Sequence, residues 1–104
     1  MQGEEIALGP GKADLMSAII ECGSLSKAAK SLSISYKRAW SMVDAINRGF
    51  KTPLIILQKG GASGGGAKLS PEGVFVLQQY RACQSETNAI VSKFFEQIQR
   101  LTAE

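Results

Sequence analysis

The chain has 104 residues, of which 44% are hydrophobic and 20% are charged. This composition predicts one globular unit and excludes both a wholly disordered chain and a membrane span of about 20 apolar residues. The sequence contains no histidine, which excludes Ser-His-Asp and Cys-His nucleophiles and histidine-bearing metal sites. Its two cysteines have no metal-binding or redox spacing, and its N-terminus has no apolar stretch, so we expect a cytoplasmic protein.

The net charge of +3 is unevenly distributed along the chain. Residues 27–68 carry eight Lys and Arg against a single acid, Asp44, and reach +7, whereas residues 1–26 carry −3 and residues 69–104 carry −1. A basic middle segment between acidic ends is typical of a surface that binds a polyanion. A solvated, lysine-rich face is the alternative interpretation.

The first predicted elements are a short strand and a helix. Ile6 and Leu8 alternate with smaller residues, and residues 9–11 (Gly-Pro-Gly) end the strand. From about Lys12 to Cys22, apolar residues recur at helical spacing, and the following glycine ends the helix. The predicted buried stripe consists of Leu15, Met16, Ile19 and Ile20.

Two further helices follow at a spacing typical of a helix-turn-helix. Ser26 is the predicted N-cap of a second helix over residues 27–32, and Ser35 is the predicted N-cap of a third helix that ends near Asn47. Small residues allow the helices to cross closely: Ala28 and Ala29. The third helix turns one apolar stripe inward: Ala39, Val43 and Ile46.

The start of the third helix is rich in hydrogen-bond donors that can meet base edges and phosphates. These residues are Ser35, Tyr36, Lys37, Arg38 and Ser41. Helical hairpins in general share the apolar pattern, so the cationic residues rather than the spacing favour a nucleic-acid-binding helix.

Residues 53–69 predict a β-hairpin. A short apolar run, Pro53 to Leu57, is followed by a glycine-rich tip and by a second short strand that ends at Leu69. The tip is not a Walker phosphate loop, because Ala67 stands where that loop requires a lysine. Lys59 and Lys68 flank the tip, which predicts a basic wing; a flexible linker is the alternative.

Ser70, Pro71 and Glu72 predict the start of a long helix. No breaker follows Gly73, so the helix can reach about Leu101 and a length of about 45 Å. Its apolar stripe is too long for an 80-residue domain to bury, which predicts a homodimer; the alternative is that the helix folds back on its own domain. The predicted dimerisation residues are Leu77, Tyr80, Ile90, Val91, Phe94, Phe95, Ile98 and Leu101.

Several of these motifs together resemble the DNA-binding domain of ModE-type molybdate-responsive transcriptional regulators. The resemblance is carried by Gly-Ser-Leu-Ser-Lys-Ala-Ala at residues 23–29 and Ser-Tyr-Lys-Arg-Ala-Trp at residues 35–40. It continues through Asn47-Arg48, the glycine-packed hairpin tip and Leu-Ser-Pro-Glu-Gly at residues 69–73. LysR-type regulators share the general scaffold, and the match extends over about residues 5–82.

The resemblance implies a mainly α-helical winged helix-turn-helix, residues 1–70, followed by a long C-terminal dimerisation helix, residues 71–104. It implies a homodimer that binds double-stranded DNA at a palindromic operator as a repressor of molybdenum-related genes. The molybdate-binding domains of the family have no room here, so no cofactor is expected in this chain. Both a stand-alone short form and a truncated piece of a longer protein fit this length, and we expect the stand-alone short form.

Individual roles in DNA binding follow from the predicted elements. The residues at the start of the third helix are expected to contact base edges and nearby phosphates, and the contact of Arg38 with guanine is the leading prediction. The DNA phosphate backbone is expected to be bound by Lys27, Lys30 and Arg48, and a neighbouring minor groove or its phosphates by Lys59 and Lys68. Ser26 is a further predicted DNA-binding residue. Trp40 is expected to wedge beneath the wing as a core residue, with DNA contact as the alternative.

Two other function classes compete with a regulator. A winged-helix adaptor that binds a protein and no DNA would share the fold, but it has no need for a charge of +7 over residues 27–68. An enzyme is disfavoured because histidine, cofactor loops and clustered carboxylates are absent from the sequence.

Overall fold

The computed structural model describes residues 8–59 and 65–101. In chain order the elements are α1 (Pro10–Cys22), α2 (Leu25–Ser31), α3 (Tyr36–Arg48), β1 (Ile55–Gln58), β2 (Gly66–Leu69) and α4 (Pro71–Ile98). A 3₁₀ turn, Gln99–Leu101, extends α4. Three short helices, a hairpin and a long final helix are the predicted winged helix-turn-helix, and this fold class is confirmed.

Helix α1 begins two residues earlier than predicted. Gly9 is its extended N-cap and Pro10 lies in its first turn, where a missing N–H costs no helical hydrogen bond. At the other end Gly23 has a left-handed φ of 75°, and its N–H donates to the Ile19 carbonyl at 2.9 Å, so the predicted stop is confirmed. Of the predicted strand, Ile6 lies outside the described residues and Leu8 is a buried residue that belongs to no strand.

Helix α2 is capped by Ser24 and not by Ser26 as predicted. The Ser24 hydroxyl accepts a hydrogen bond from the Lys27 N–H at 3.1 Å. Both serines can act as caps, but Leu25 is only 4% exposed. Its burial in the first turn of α2 favours the earlier start, and Ser26 is left exposed.

The core lies where α1, α2 and α3 cross beneath the hairpin. Helix α1 contributes Leu15, Met16 and Ile19, each at most 1% exposed. Ala28 and Ala29 of α2 are buried, as expected for small residues at a helix crossing. The predicted inward stripe of α3 is confirmed, because its three members are at most 4% exposed: Ala39, Val43 and Ile46. Ile20, predicted to be buried, is 55% exposed.

Strands β1 and β2 form an antiparallel hairpin, which we call the wing. The register pairs Ile55 with Leu69 and Gln58 with Gly66. The Ala67 N–H donates to the Gly23 carbonyl at 2.9 Å, which attaches the wing to the turn between α1 and α2. The glycine-rich tip, residues 60–64, lies outside the described residues.

The start of α4 is fixed to the chain that precedes β1. Ser70 caps α4 by accepting from the Gly73 N–H at 3.0 Å, and its own hydroxyl donates to the Pro53 carbonyl at 2.8 Å. A side chain at Gly73 would collide with the backbone of Leu54. A glycine is therefore required at this close approach of α4 to the domain.

The first half of α4 belongs to the core and the second half leaves it. Leu77, predicted as a dimerisation residue, is 7% exposed and packs inside its own chain; Tyr80 packs against the same core. Arg81 donates to the Asp14 carboxylate and to the Ser17 hydroxyl, each at 3.0 Å, which attaches α4 to α1. Beyond this point α4 projects outward, and the molecule measures 59 × 33 × 21 Å. No helix within residues 8–59 or 65–101 combines the length and the apolar character needed to cross a membrane.

Candidate nucleic-acid interface

Helix α3 is positioned by its two ends. At its start the Ser35 hydroxyl accepts from the Arg38 N–H at 3.0 Å, so the predicted cap is confirmed. At its end the Asn47 side chain contacts β1: its amide donates to the Ile55 carbonyl at 3.0 Å, and its oxygen accepts from the Leu54 and Ile55 N–H groups at 2.9 and 3.0 Å. The orientation of α3 relative to the wing is thereby fixed.

The role of Asn47 was missed by sequence reasoning, which quoted it only as part of a motif. Asn47 is half-buried in a helix whose other polar residues are mostly exposed. No local sequence signal indicates this link, because β1 begins only at Ile55 and its approach to α3 is set by the tertiary fold.

The outward face of α3 is cationic. At about 100° per residue, three polar side chains lie roughly opposite the buried stripe: Lys37, Ser41 and Arg48. All three are exposed. A duplex placed against this domain along α3 would therefore meet donors before it met any apolar core residue.

Lys37 and Arg38 are free to contact a ligand. Both are exposed, and neither forms an ion pair with any residue in the described ranges. They point in different directions, since Arg38 lies on the flank of α3 beside Met42 and lines a cavity of about 440 Å³ with residues 8–12 and Tyr80. Lys37 is thus the central cation of the helix start, and Arg38 borders α1.

Arg48 has an acidic partner that sequence reasoning did not assign. Its Nε donates to the Asp44 carboxylate at 3.0 Å, and the two side chains remain 73% and 50% exposed. The i,i+4 spacing of an acid before an arginine was the available signal. The pair places one carboxylate on the otherwise cationic face of α3.

The remaining predicted DNA-contacting residues surround α3. Those on α2, namely Ser26, Lys27 and Lys30, are exposed. Lys27 also lines a groove with Gly65 and Gly66 at the start of β2. Lys59, directly after β1, and Lys68, within β2, are also exposed. The structure therefore leaves all of these side chains accessible from solvent.

Trp40 is not the core residue that was expected. It is 49% exposed, and Tyr36, one turn earlier, is 55% exposed. The space beneath the wing is filled by Ile55 and Ala67, each at most 5% exposed, and by the Asn47 side chain described above. The indole of Trp40 instead lies at the surface, beside a groove between α3 and β1.

The second half of α4 exposes a continuous apolar face. We call it the distal face; it consists of Ile90, Val91, Phe94, Phe95, Ile98 and Leu101. Apart from the half-buried Ile98, these side chains are between 43% and 78% exposed. The rings of Phe94 and Phe95 meet edge to face, with centroids 5.7 Å apart. This half of α4 does not fold back on its own domain.

Comparison with known proteins identifies the family. Residues 13–74 match the family model described as bacterial regulatory helix-turn-helix protein, LysR family. The match extends over more than half of the chain and includes α1, the helix-turn-helix, the wing and the start of α4. The chain belongs to this family. In this LysR-type domain the outward face of α3 described above is part of the matched region.

Within the LysR-type helix-turn-helix proteins, the chain is similar to ModE proteins. It is 33% identical to the molybdenum transport protein ModE of Azotobacter vinelandii over 96 residues, which are 92% of this chain and 36% of that protein. It is 34% identical to the DNA-binding transcriptional dual regulator ModE of Escherichia coli K12 over 77 residues, which are 74% of this chain and 29% of that protein. The chain therefore spans about a third of the length of these curated relatives.

A solved structure supports the fold of the LysR-type domain. The DNA-binding domain of BenM, crystallised with the benA site 1 DNA, aligns with a TM-score of 0.63 and 22% sequence identity. The alignment includes 86% of this chain and 94% of the BenM domain. The likeness thus extends beyond the helix-turn-helix into α4.

Proposed function

We propose that this chain is a sequence-specific, DNA-binding transcriptional regulator of molybdenum-related genes that acts as a repressor. The observation that supports this most directly is the free, outward-facing cationic start of α3, with Lys37 and Arg38 exposed and unpaired among the described residues. The similarity to ModE proteins supplies the class of genes. A DNA partner implies a cytoplasmic protein, and a regulator rather than an enzyme.

In the proposed complex, the start of α3 enters the major groove. Lys37 and Ser41 face the base edges directly, while Arg38 reaches them from the flank. Ser35 remains the helix cap, and its backbone lies where the chain meets the phosphates. The cations of α2 and the wing bind phosphates on either side of this groove and set the register of α3 on the duplex.

Two copies of the chain bind together in this proposal. The distal face is exposed in one copy, and a second copy of the same face is a matching apolar surface. A two-fold pair of domains places two α3 helices in successive major grooves about 34 Å apart, which requires a palindromic operator. Leu77 and Tyr80 hold α4 to its own domain and are not needed in this seam.

The salt dependence of DNA binding tests the proposed function. If each subunit contacts three or four phosphates, the slope of log affinity against log salt concentration is about −5 to −7. This slope is measured by fluorescence anisotropy on a duplex selected from a random library with the wild-type chain. A slope near zero, or failure to select any duplex, contradicts DNA binding and favours a winged-helix adaptor for a protein partner.

A matched pair of variants shows whether the basic residues of the wing cause the salt dependence of DNA binding. Replacing the two wing cations, Lys59→Gln with Lys68→Gln, should reduce the magnitude of the slope by about 2 to 4 in a dimer. Lys93→Gln removes the same charge from an exposed position in the second half of α4. That control should leave the slope unchanged.

A further inference from the structure

Tyr36 and Trp40 form an exposed aromatic patch beside the cationic face of α3. They lie one helical turn apart and line a cavity of about 460 Å³ together with Lys37, Ser41 and Asp44. On its other side Trp40 borders a groove of about 300 Å³ whose walls include Pro53 and residues 55–57 of β1. Trp40 is therefore an apolar ridge between α3 and the wing.

The fold of the chain does not account for this ridge. About half of the surface of Trp40 remains in water, so the chain gains only part of the hydrophobic stabilisation that a tryptophan can supply. Its ring stacks on no other aromatic ring, and its N–H makes no hydrogen bond, within residues 8–59 and 65–101. The exposed ring is thus available to an external surface.

The charges around the patch indicate which part of a duplex it would meet. Lys37 on one side attracts a polyanion, and the Asp44 carboxylate beside Trp40 is already paired with Arg48 at 3.0 Å, so Lys37 is the unpaired charge next to the patch among the described residues. Lys37 therefore brings a duplex to the patch, where the two rings carry no charge to bind a phosphate and offer apolar surface to the base edges. In the major groove the apolar feature of a base pair is the C5-methyl group of thymine.

We propose that Trp40, together with Tyr36, reads thymine methyl groups at the edge of the major groove. This inference rests on the proposed function and adds an apolar, base-specific contact to it. The residue that sequence analysis assigned to the core becomes a determinant of which operator is bound. The proposed ligand of the patch is the thymine methyl group in the major groove of a DNA duplex, and not a protein.

Replacing thymine with deoxyuridine tests the proposal, because uracil keeps the pairing and lacks only the methyl group. The probe is the duplex selected with the wild-type chain, synthesised with thymine and with deoxyuridine at single positions of each half-site. At one or two positions the wild-type chain should lose about three- to fivefold in affinity per methyl removed. Trp40→Ala should bind both duplexes with the same affinity.

Two further variants make the comparison specific. Phe75→Ala removes another exposed aromatic ring, 60% exposed on α4, and should keep the wild-type ratio between the two duplexes. Tyr36→Ala should reduce that ratio; it replaces a more exposed ring and gives a second measurement should Trp40→Ala not fold, as judged by circular dichroism.

The outcomes separate this inference from the proposed function. Equal binding of thymine and deoxyuridine duplexes by the wild-type chain overturns the inference alone. So does a Trp40→Ala variant that keeps the wild-type ratio, and the aromatic patch would then be left for a protein partner. Failure of the wild-type chain to select any duplex overturns the proposed function and this inference with it.

Discussion

Lys37 and Arg38 are adjacent in the chain, but helix geometry separates them by about 100° around α3. Lys37 points away from the buried stripe, whereas Arg38 borders the start of α1 and Met42. Sequence alone favoured Arg38 because an arginine can bind guanine through two hydrogen bonds. The direction of each side chain now makes Lys37 the more central of the two.

Alanine substitutions of single cations distinguish residues that contact base edges from residues that bind phosphates. Lys37→Ala should weaken operator binding by roughly 1–3 kcal/mol and relax the preference at one base position. Arg38→Ala should relax the preference less, because its side chain reaches the groove from the flank. Lys30→Ala, on the exposed face of α2, should weaken all sequences alike and lower the magnitude of the salt slope by about 1 per subunit.

Competition between the selected duplex and single-base variants of it measures these preferences. Lys93→Ala is the matched control, since this exposed lysine lies on α4 away from α3. An unaltered base preference in Lys37→Ala would show that this residue binds only the backbone.

At the scale of elements, the contact between α3 and β1 sets the shape of the candidate interface. Asn47 supplies the hydrogen bonds that hold the end of α3 against Leu54 and Ile55. The carbonyls and N–H groups at this junction are partly buried, and leaving them without partners costs free energy. These hydrogen bonds therefore fix the end of α3 against the chain that enters the wing.

Loss of this link should lower stability. Asn47→Ala should reduce the free energy of unfolding by about 1–3 kcal/mol, because it leaves backbone groups of Leu54 and Ile55 unsatisfied. Urea denaturation followed by circular dichroism measures the change. Gln78→Ala removes an exposed amide from α4 and should change stability by less than about 0.5 kcal/mol. Equal effects of the two variants would contradict a structural role for Asn47.

The elements themselves were largely predictable from local signals. Ser35, Ser70 and Gly23 marked helix ends correctly because caps and left-handed glycines act within a few residues. Ser24 and Ser26 are equivalent as caps, so only the burial of Leu25 decided between them. The exposure of Trp40 and the hydrogen bonds of Asn47 depend on how β1 approaches α3. Contacts between distant segments of that kind carry no local signal.

At the scale of the whole molecule, the distal face of α4 is an apolar surface that the described residues of one chain leave exposed to water. Its side chains extend the apolar stripe that begins with Leu77 in the core, so the two halves of one helix present apolar side chains to different surroundings. The first half stabilises the domain, and in the proposed dimer the second half binds the other copy.

A charge in this seam should separate the copies. Phe94→Glu should weaken dimerisation by about 3 kcal/mol or more, at least a hundredfold, because it buries an unpaired carboxylate in an apolar contact. Light scattering after size-exclusion chromatography measures the mass. Phe75→Glu introduces the same charge at another exposed ring on α4 and should remain dimeric. A monomeric wild-type chain would contradict the proposed seam.

The contact of Arg81 with Asp14 and Ser17 attaches α4 to α1 at the point where α4 leaves the domain. From Arg81 to Ile98 the helix extends about 25 Å. A tilt of about 10° at this pivot displaces the far end by about 4 Å, more than the rise of about 3.4 Å between successive base pairs. In a dimer of such chains, the contact between Arg81 and α1 would therefore limit the spacing between the two half-sites of a DNA target that both domains can bind at once.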